Sequence, residues 1–262
     1  MATPRLLVIA GSDSSAGAGL QADLKTAQHF GVYAQTAVTA VTVQDTTGVK
    51  AIHPVPPEIV RAQIEAALSD IGADVIKIGM LGSGAIAAAV ADILKSAKLP
   101  LVLDPVMTAK GGAPLLDGIA AQVLKEKLLP LAMLATPNLP EAEALVGIAP
   151  RDEEQAAAAA RKFAALGVAN VLFKGGHGQD DTVRDFLVEK GAVTLFAAPR
   201  RHSRHTHGTG CTLATAIACG LARGMSLVEA VGEAHAYVQQ AIRSAPGLGS
   251  GHGPLNHSIK PV

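Results

Sequence analysis

The feature that most constrains the fold is an alternation along the chain. Short apolar runs at residues 6–10, 37–43, 75–78, 101–103, 132–135 and 171–173 are separated for the most part by stretches of helical periodicity. Strands that alternate with helices pair in parallel, and helices cover the sheet on both faces, so the strands themselves read as unbroken apolar runs. The expected fold is α/β, with a single doubly wound, mostly parallel sheet. Segments 183–188 and 193–197 flank Lys190-Gly191 and predict a small antiparallel hairpin at one sheet edge.

A helix is expected over about residues 19–30, with Leu20, Leu24, Ala27 and Phe30 on one face and Gly31 as its stop. A second begins at Pro56-Pro57-Glu58 and buries Ile59, Val60, Ile64, Leu68 and Ile71. Others are expected over 85–95, 152–166, 212–223 and 227–244, and the tail from Pro246, rich in Gly, His and Pro, is irregular. No repeat, low-complexity linker or shift in composition divides the 262 residues, so one domain over residues 1–262 is expected.

Composition narrows the function classes. With 49% hydrophobic residues, 3% aromatic residues and no Trp, the core must be built from Ala, Val, Leu and Ile. The 22 basic and 22 acidic residues cancel, and no polybasic block would track a phosphate backbone, which argues against nucleic acid. Cys211 and Cys219 lie eight residues apart in one expected helix, too far along its axis to bridge. A reducing cytoplasm fits them. The first apolar run is too short for a signal peptide, and no stretch approaches the roughly 18 apolar residues of a membrane span.

In a doubly wound sheet, ligands bind beyond the carboxyl ends of the strands, and four stretches lie there. The loop from Gly11 to Gly19 lets a ligand approach the backbone. Within it, Gly17-Ala18-Gly19-Leu20-Gln21-Ala22 also satisfies a G-x-G-x-x-A dinucleotide pattern, so an NAD-dependent oxidoreductase is a rival reading. Against it, six residues separate Gly17 from the strand, and Gln44 stands where an acid would hold the ribose. The glycine-rich element His207-Gly208-Thr209-Gly210-Cys211-Thr212 precedes a helix, so its N–H groups and the helix dipole can hold an anion. In Thr136-Pro137-Asn138-Leu139-Pro140-Glu141, Glu141 is a candidate magnesium ligand, although a helix cap would look the same. Asp104, at the end of a strand, adds a second carboxylate. Finally Lys174, followed by Gly175-Gly176-His177, can reach nucleotide phosphates. With no G-x-x-x-x-G-K-[ST] loop, phosphoryl transfer must use an arrangement other than the Walker type. His202, His205 and His207 raise a metal-binding alternative of poor tetrahedral geometry. Cys211 with His207 raises a cysteine hydrolase.

Taken in order, Ala10 to Gly19, Thr42-Val43-Gln44-Asp45, Lys77-Ile78-Gly79-Met80-Leu81, Leu103-Asp104-Pro105-Val106-Met107, the 136–143 stretch, Lys174-Gly175-Gly176-His177 and 206–213 resemble the ribokinase-like superfamily over essentially the whole chain. The hydroxymethylpyrimidine kinase branch of thiamine biosynthesis is the nearer match. Cys211 stands where most of the superfamily has an aspartate base, as it does in that branch; the loop Arg200-Arg201-His202-Ser203-Arg204-His205 is more basic than the branch suggests. The resemblance implies ATP and Mg2+ as cosubstrates, a pyrimidine hydroxymethyl group and then its monophosphate as acceptors, and a homodimer. Pyridoxal kinase is the alternative within the superfamily. By position, Ala18, Asp23, Gln44, Met80 and Val106 are implied to line the pyrimidine pocket, Asp104 and Glu141 to act around magnesium, and Lys174 to sit near the phosphates. Gly208, Thr209 and Gly210 are implied to form an anion hole beside Cys211. The residue types agree: the Gln44 amide donates and accepts at once, as an aminopyrimidine edge requires, and Met80 suits a flat ring. The helix start is expected to lower the Cys211 thiol pKa.

Overall fold

Strand β1 (Arg5–Asp13) sets the frame of the computed structural model, which describes residues 2–108, 118–178 and 180–259. Its side chains alternate between two apolar layers. Leu7 and Ile9 enter one with Val60, Ile64, Ile86, Val90 and Phe163, while Leu6, Val8 and Ala10 enter the other with Leu20, Ile217 and Val231. That period of two on a strand buried on both faces is what a helix-covered parallel sheet demands.

Strands β2 (Tyr33–Asp45), β3 (Gly48–Pro54), β4 (Val75–Ile78), β5 (Leu101–Leu103), β6 (Leu134–Ala135), β7 (Asn170–Phe173), β8 (Thr182–Glu189) and β9 (Ala192–Pro199) complete one sheet of order β3-β2-β1-β4-β5-β6-β7-β8-β9. The block from β2 to β7 is parallel, and β3, β8 and β9 add antiparallel pairs at the edges. Strand order reverses between β1 and β4, which places a crevice above their carboxyl ends.

Helices α1 (Gly19–His29), α7 (Thr209–Ala222) and α8 (Leu227–Arg243) cover one face. Helices α2 (Pro57–Ser69), α3 (Gly84–Leu94), α5 (Leu139–Val146) and α6 (Glu153–Ala165) cover the other, with the short α4 (Gly118–Val123) and the helical turns that follow it. Starts are set by local chemistry: Ser83 and Asp152 accept from the third amide of their helices, and Ser226 with Glu229 forms a capping box on α8. Among the described residues no helix is long and apolar enough to cross a membrane.

Two expectations fail for physical reasons. Strand β3 was not anticipated, because none of its seven residues is buried and it carries no apolar alternation. Leu24, Ile59 and Ile71 are exposed rather than buried. Helix α1 buries Leu20 and Ala27 as expected, but its inner face also takes Asp23 and Thr26 and leaves Leu24 outside. The tail from Pro246 has no helix or named strand among its described residues, as expected, and is nonetheless tied down, with Leu255, His257 and Ile259 buried.

Candidate active site

Above the carboxyl ends of the parallel strands lies a cavity of about 1000 Å³. Ala18, Gln44, Met80 and Val106 line it, as do Asp104, Glu141, Lys174 and the Gly208–Cys211 turn.

The first wall is the segment between β1 and α1. Asp13, buried at the end of β1, folds this segment around its carboxylate: it accepts from the amides of Ser15 (2.8 Å), Gly17 (3.2 Å) and Ala18 (2.8 Å). Burial pushes the Asp13 carboxyl up, but His207, Ser15 and these amides more than offset it and hold it below the ordinary carboxylate range. Gly19 has φ +55°, and a Cβ there would lie 2.4 Å from the Gly11 carbonyl, so only glycine fits. This geometry counts against a dinucleotide loop: the Gly17 and Ala18 amides that a pyrophosphate would need are taken by Asp13.

The second wall is the start of α7. Gly208 is its N-cap at φ +84°, where a Cβ would collide with the Gly17 carbonyl at 1.8 Å, so two segments far apart in sequence close on each other. No side chain caps the helix, and although the Thr209 amide makes a long hydrogen bond to the Thr206 carbonyl at 3.4 Å, the positive dipole end can still face an anion. Cys211 meets the Gly19 amide here. The thiol pKa is not lowered: burial pushes it up to about 11, with the Lys77 charge opposing and Asp23 and Asp104 adding to the rise. The expected helix-start effect is outweighed by desolvation, and at neutral pH Cys211 is a thiol.

The third wall carries the charges. Asp104, at the end of β5, is buried and accepts from Lys174 Nζ at 2.6 Å and Thr136 Oγ1 at 3.0 Å, both on Oδ1. Burial alone would lower the Lys174 ammonium, and Asp104 and Glu141 more than offset it. Glu141 completes a capping box with Asn138, accepting the Asn138 amide at 2.8 Å while Asn138 Oδ1 accepts the Glu141 amide at 2.9 Å. Its carboxyl is pushed up to about 7, chiefly by burial, with Lys174 lowering it and the Asp104 charge raising it. The cap and the site are therefore one arrangement.

Asp23 is a correction. It does not line the cavity: wholly buried, it is held by Lys77 Nζ at 3.0 and 2.9 Å and accepts from Thr215 Oγ1 at 2.7 Å. A carboxylate at this depth needs a cation, and Lys77 supplies it.

A model of the phosphomethylpyrimidine kinase family matches residues 13–256. The chain belongs to that family. A hydroxymethylpyrimidine/phosphomethylpyrimidine kinase of Haemophilus influenzae is 48% identical over 258 residues, covering 97% of this chain and 96% of that one. A thiamine biosynthesis bifunctional protein of Geobacter sulfurreducens is 51% identical over 97% of this chain, which spans 52% of that longer protein. Among solved structures, the pyridoxal kinase of Staphylococcus aureus in complex with AMP-PCP and pyridoxal superposes with a TM-score of 0.90 at 34% identity, covering 99% of this chain and 97% of that one.

Kinase membership displaces the oxidoreductase, metal-protein and hydrolase readings. No group of three or more metal-ligating side chains occurs among the described residues, and Nε2 of His207 lies against Asp13 and Gln44. The sequence did not single out Asp13, Asp185, His235 or Gln239 for the site. Asp185 accepts the Gly175 amide at 2.7 Å and so fixes the turn after Lys174. His235 Nε2 and Gln239 Oε1, both on α8 beside the cavity, are buried without a hydrogen-bond partner, although His235 Nε2 faces Asp185 Oδ2 at 3.9 Å. Histidine and glutamine on an amphipathic helix carry no signal that distinguishes a ligand site from a polar face.

Proposed function

We infer that this chain transfers the γ-phosphoryl group of ATP to the hydroxymethyl oxygen of 4-amino-5-hydroxymethyl-2-methylpyrimidine, and then to the monophosphate so formed, in the synthesis of thiamine diphosphate. The observation that carries the reading is that one cavity joins an amide suited to an aminopyrimidine, Gln44, to an anion-holding helix start and a buried lysine. The relatives' names agree with it.

In the first step the hydroxyl oxygen bonds to the γ-phosphorus, the bond from that phosphorus to the β,γ-bridging oxygen breaks, and ADP leaves with the electron pair. Gly208, Thr209 and Gly210 offer amides to the transferring group, where charge spreads over the equatorial oxygens. Lys174 offsets phosphate charge. Cys211 is the proposed acceptor of the hydroxyl proton. Its thiol starts protonated, so that proton must first pass to water before the sulfur can take another. His235 Nε2 and Gln239 Oε1, buried without a hydrogen bond, can take up polar atoms of the nucleoside.

Asp104 and Glu141 fit a divalent cation. Asp104 commits only Oδ1 to Lys174 and Thr136, and Glu141, crowded by a second carboxylate, gains from added positive charge. Magnesium bound there would neutralise phosphate charge.

One kinase domain in a cytoplasmic homodimer is part of the proposal. The single sheet, two free cysteines and exposed Val41, Val43 and Ile52 on β2 and β3 support it. Ligand-induced changes in Tm test the ligand assignment: Mg-ATP and hydroxymethylpyrimidine should each raise Tm and NADH should not. Stabilisation by NADH alone would refute it.

A further inference from the structure

Between the segment joining β1 to α1 and the α7 turn lies a buried contact that the phosphoryl-transfer chemistry does not use. His207 Nε2 is 2.8 Å from Asp13 Oδ2 and 3.0 Å from the Gln44 amide nitrogen, Nε2. The ring lies against Gly17, where a Cβ would come within 2.5 Å of its Cδ2, and the His207 amide is anchored to the Gly253 carbonyl at 3.1 Å. The imidazole is thus fixed in place, and the question is where its proton lies.

Hydrogen-bond accounting answers it. Asp13 receives three backbone amides and the Ser15 hydroxyl, groups that here all donate, so both its oxygens are acceptors. His207 must then carry its proton on Nε2 and donate it to Asp13. An N–H on Gln44 facing that same nitrogen would find no lone pair. The amide is satisfied only when its oxygen faces His207, sharing the proton with Asp13, and its NH2 faces Thr42. Thr42 Oγ1 can accept, because its own proton goes to the Ser12 carbonyl at 2.9 Å. The Gln44 backbone is held independently, its amide donating to Ser14 Oγ at 2.8 Å and its carbonyl accepting from it at 2.7 Å.

We propose that His207, held by Asp13, is a positioning residue that sets which way the Gln44 amide faces and thereby selects an amino-substituted pyrimidine over its oxo counterpart. The inference rests on the pyrimidine reading of Gln44. An aminopyrimidine edge offers a donor beside an acceptor, and a pyrimidinone edge offers the same pair reversed. An amide free to rotate by half a turn matches either, whereas a fixed one matches only the first.

The test is the ratio of kcat/KM for the 4-amino substrate to that for its 4-oxo analogue, in wild type, His207→Ala and His207→Gln. Loss of His207 should collapse the ratio by about tenfold or more, the effect of one mismatched buried hydrogen bond. Glutamine, whose amide N–H can still donate to Asp13, should restore most of it. A residue that only packs would lower both substrates alike, and an unchanged ratio in His207→Ala overturns the proposal. Should the variants unfold, nitrogen NMR of wild-type His207 decides: a proton on Nε2 is expected, and a ring with its proton on Nδ1 alone contradicts the accounting. Failure of wild type to phosphorylate any pyrimidine would instead sink the functional reading, and the NMR measurement would still test the placement of the proton.

Discussion

Lys174 and Asp104 follow β7 and β5, strands separated by β6, yet their charged atoms lie 2.6 Å apart. The pair spans the floor on which the polyphosphate is proposed to rest, and Lys174 also holds down the rise in the Glu141 pKa. Lys174→Met keeps the stem and removes the charge. kcat/KM for ATP should fall on the order of 100-fold, the usual loss when one preorganised charge or donor leaves a transition state. Wild-type ATP kinetics in the variant would leave Lys174 as a structural ion-pair partner only.

Glu141 offers a pH test. Its carboxyl titrates near 7 instead of its ordinary 4.5, so it must lose a proton to hold a cation, and kcat/KM for Mg-ATP should fall as pH drops through about 7. Stability runs the other way. The folded state binds this proton more tightly than the unfolded state, so stability is lost as pH rises from about 4.5 to about 7. Glutamine at this position can still cap the helix. Glu141→Gln should therefore match the wild-type Tm at acid pH and exceed it above neutrality, while turnover becomes dependent on excess magnesium. A variant with wild-type magnesium dependence would reduce Glu141 to a cap.

Much of this arrangement was legible because strand ends and glycine turns leave local marks. The boundaries of β4 and β5 follow directly from apolar runs, and Asp104 and Lys174 stand out by their positions after strands, whereas the pocket places of Gln44, inside β2, and Met80 were implied only by the family resemblance. Asp23 could not. Its partner, Lys77, sits 54 residues away inside an apolar strand, and nothing local tells a buried ion pair from a pocket carboxylate. The Cys211 pKa was misjudged for a related reason: helix position is visible in sequence, whereas burial and the balance of nearby Lys77, Asp23 and Asp104 are products of the fold. His207 was visible as a member of a histidine group, but its contact with Asp13 spans 194 residues.

Cys211 can be tested through the pH dependence of catalysis. The thiolate fraction grows as pH approaches about 11, roughly tenfold per unit below that value. If the thiolate takes the hydroxyl proton, kcat/KM should climb through the alkaline range without levelling off. Cys211→Ala should lose that climb and on the order of 100-fold in kcat. A variant that keeps both the rate and the pH profile would leave the cysteine with a packing role.

The central claim is tested most directly by ADP release with hydroxymethylpyrimidine, its monophosphate and pyridoxal measured side by side under one set of conditions. Both pyrimidines should be turned over in the presence of Mg-ATP, each with a higher kcat/KM than pyridoxal. Turnover of pyridoxal with neither pyrimidine accepted, or no ADP release with any of the three, would contradict the account.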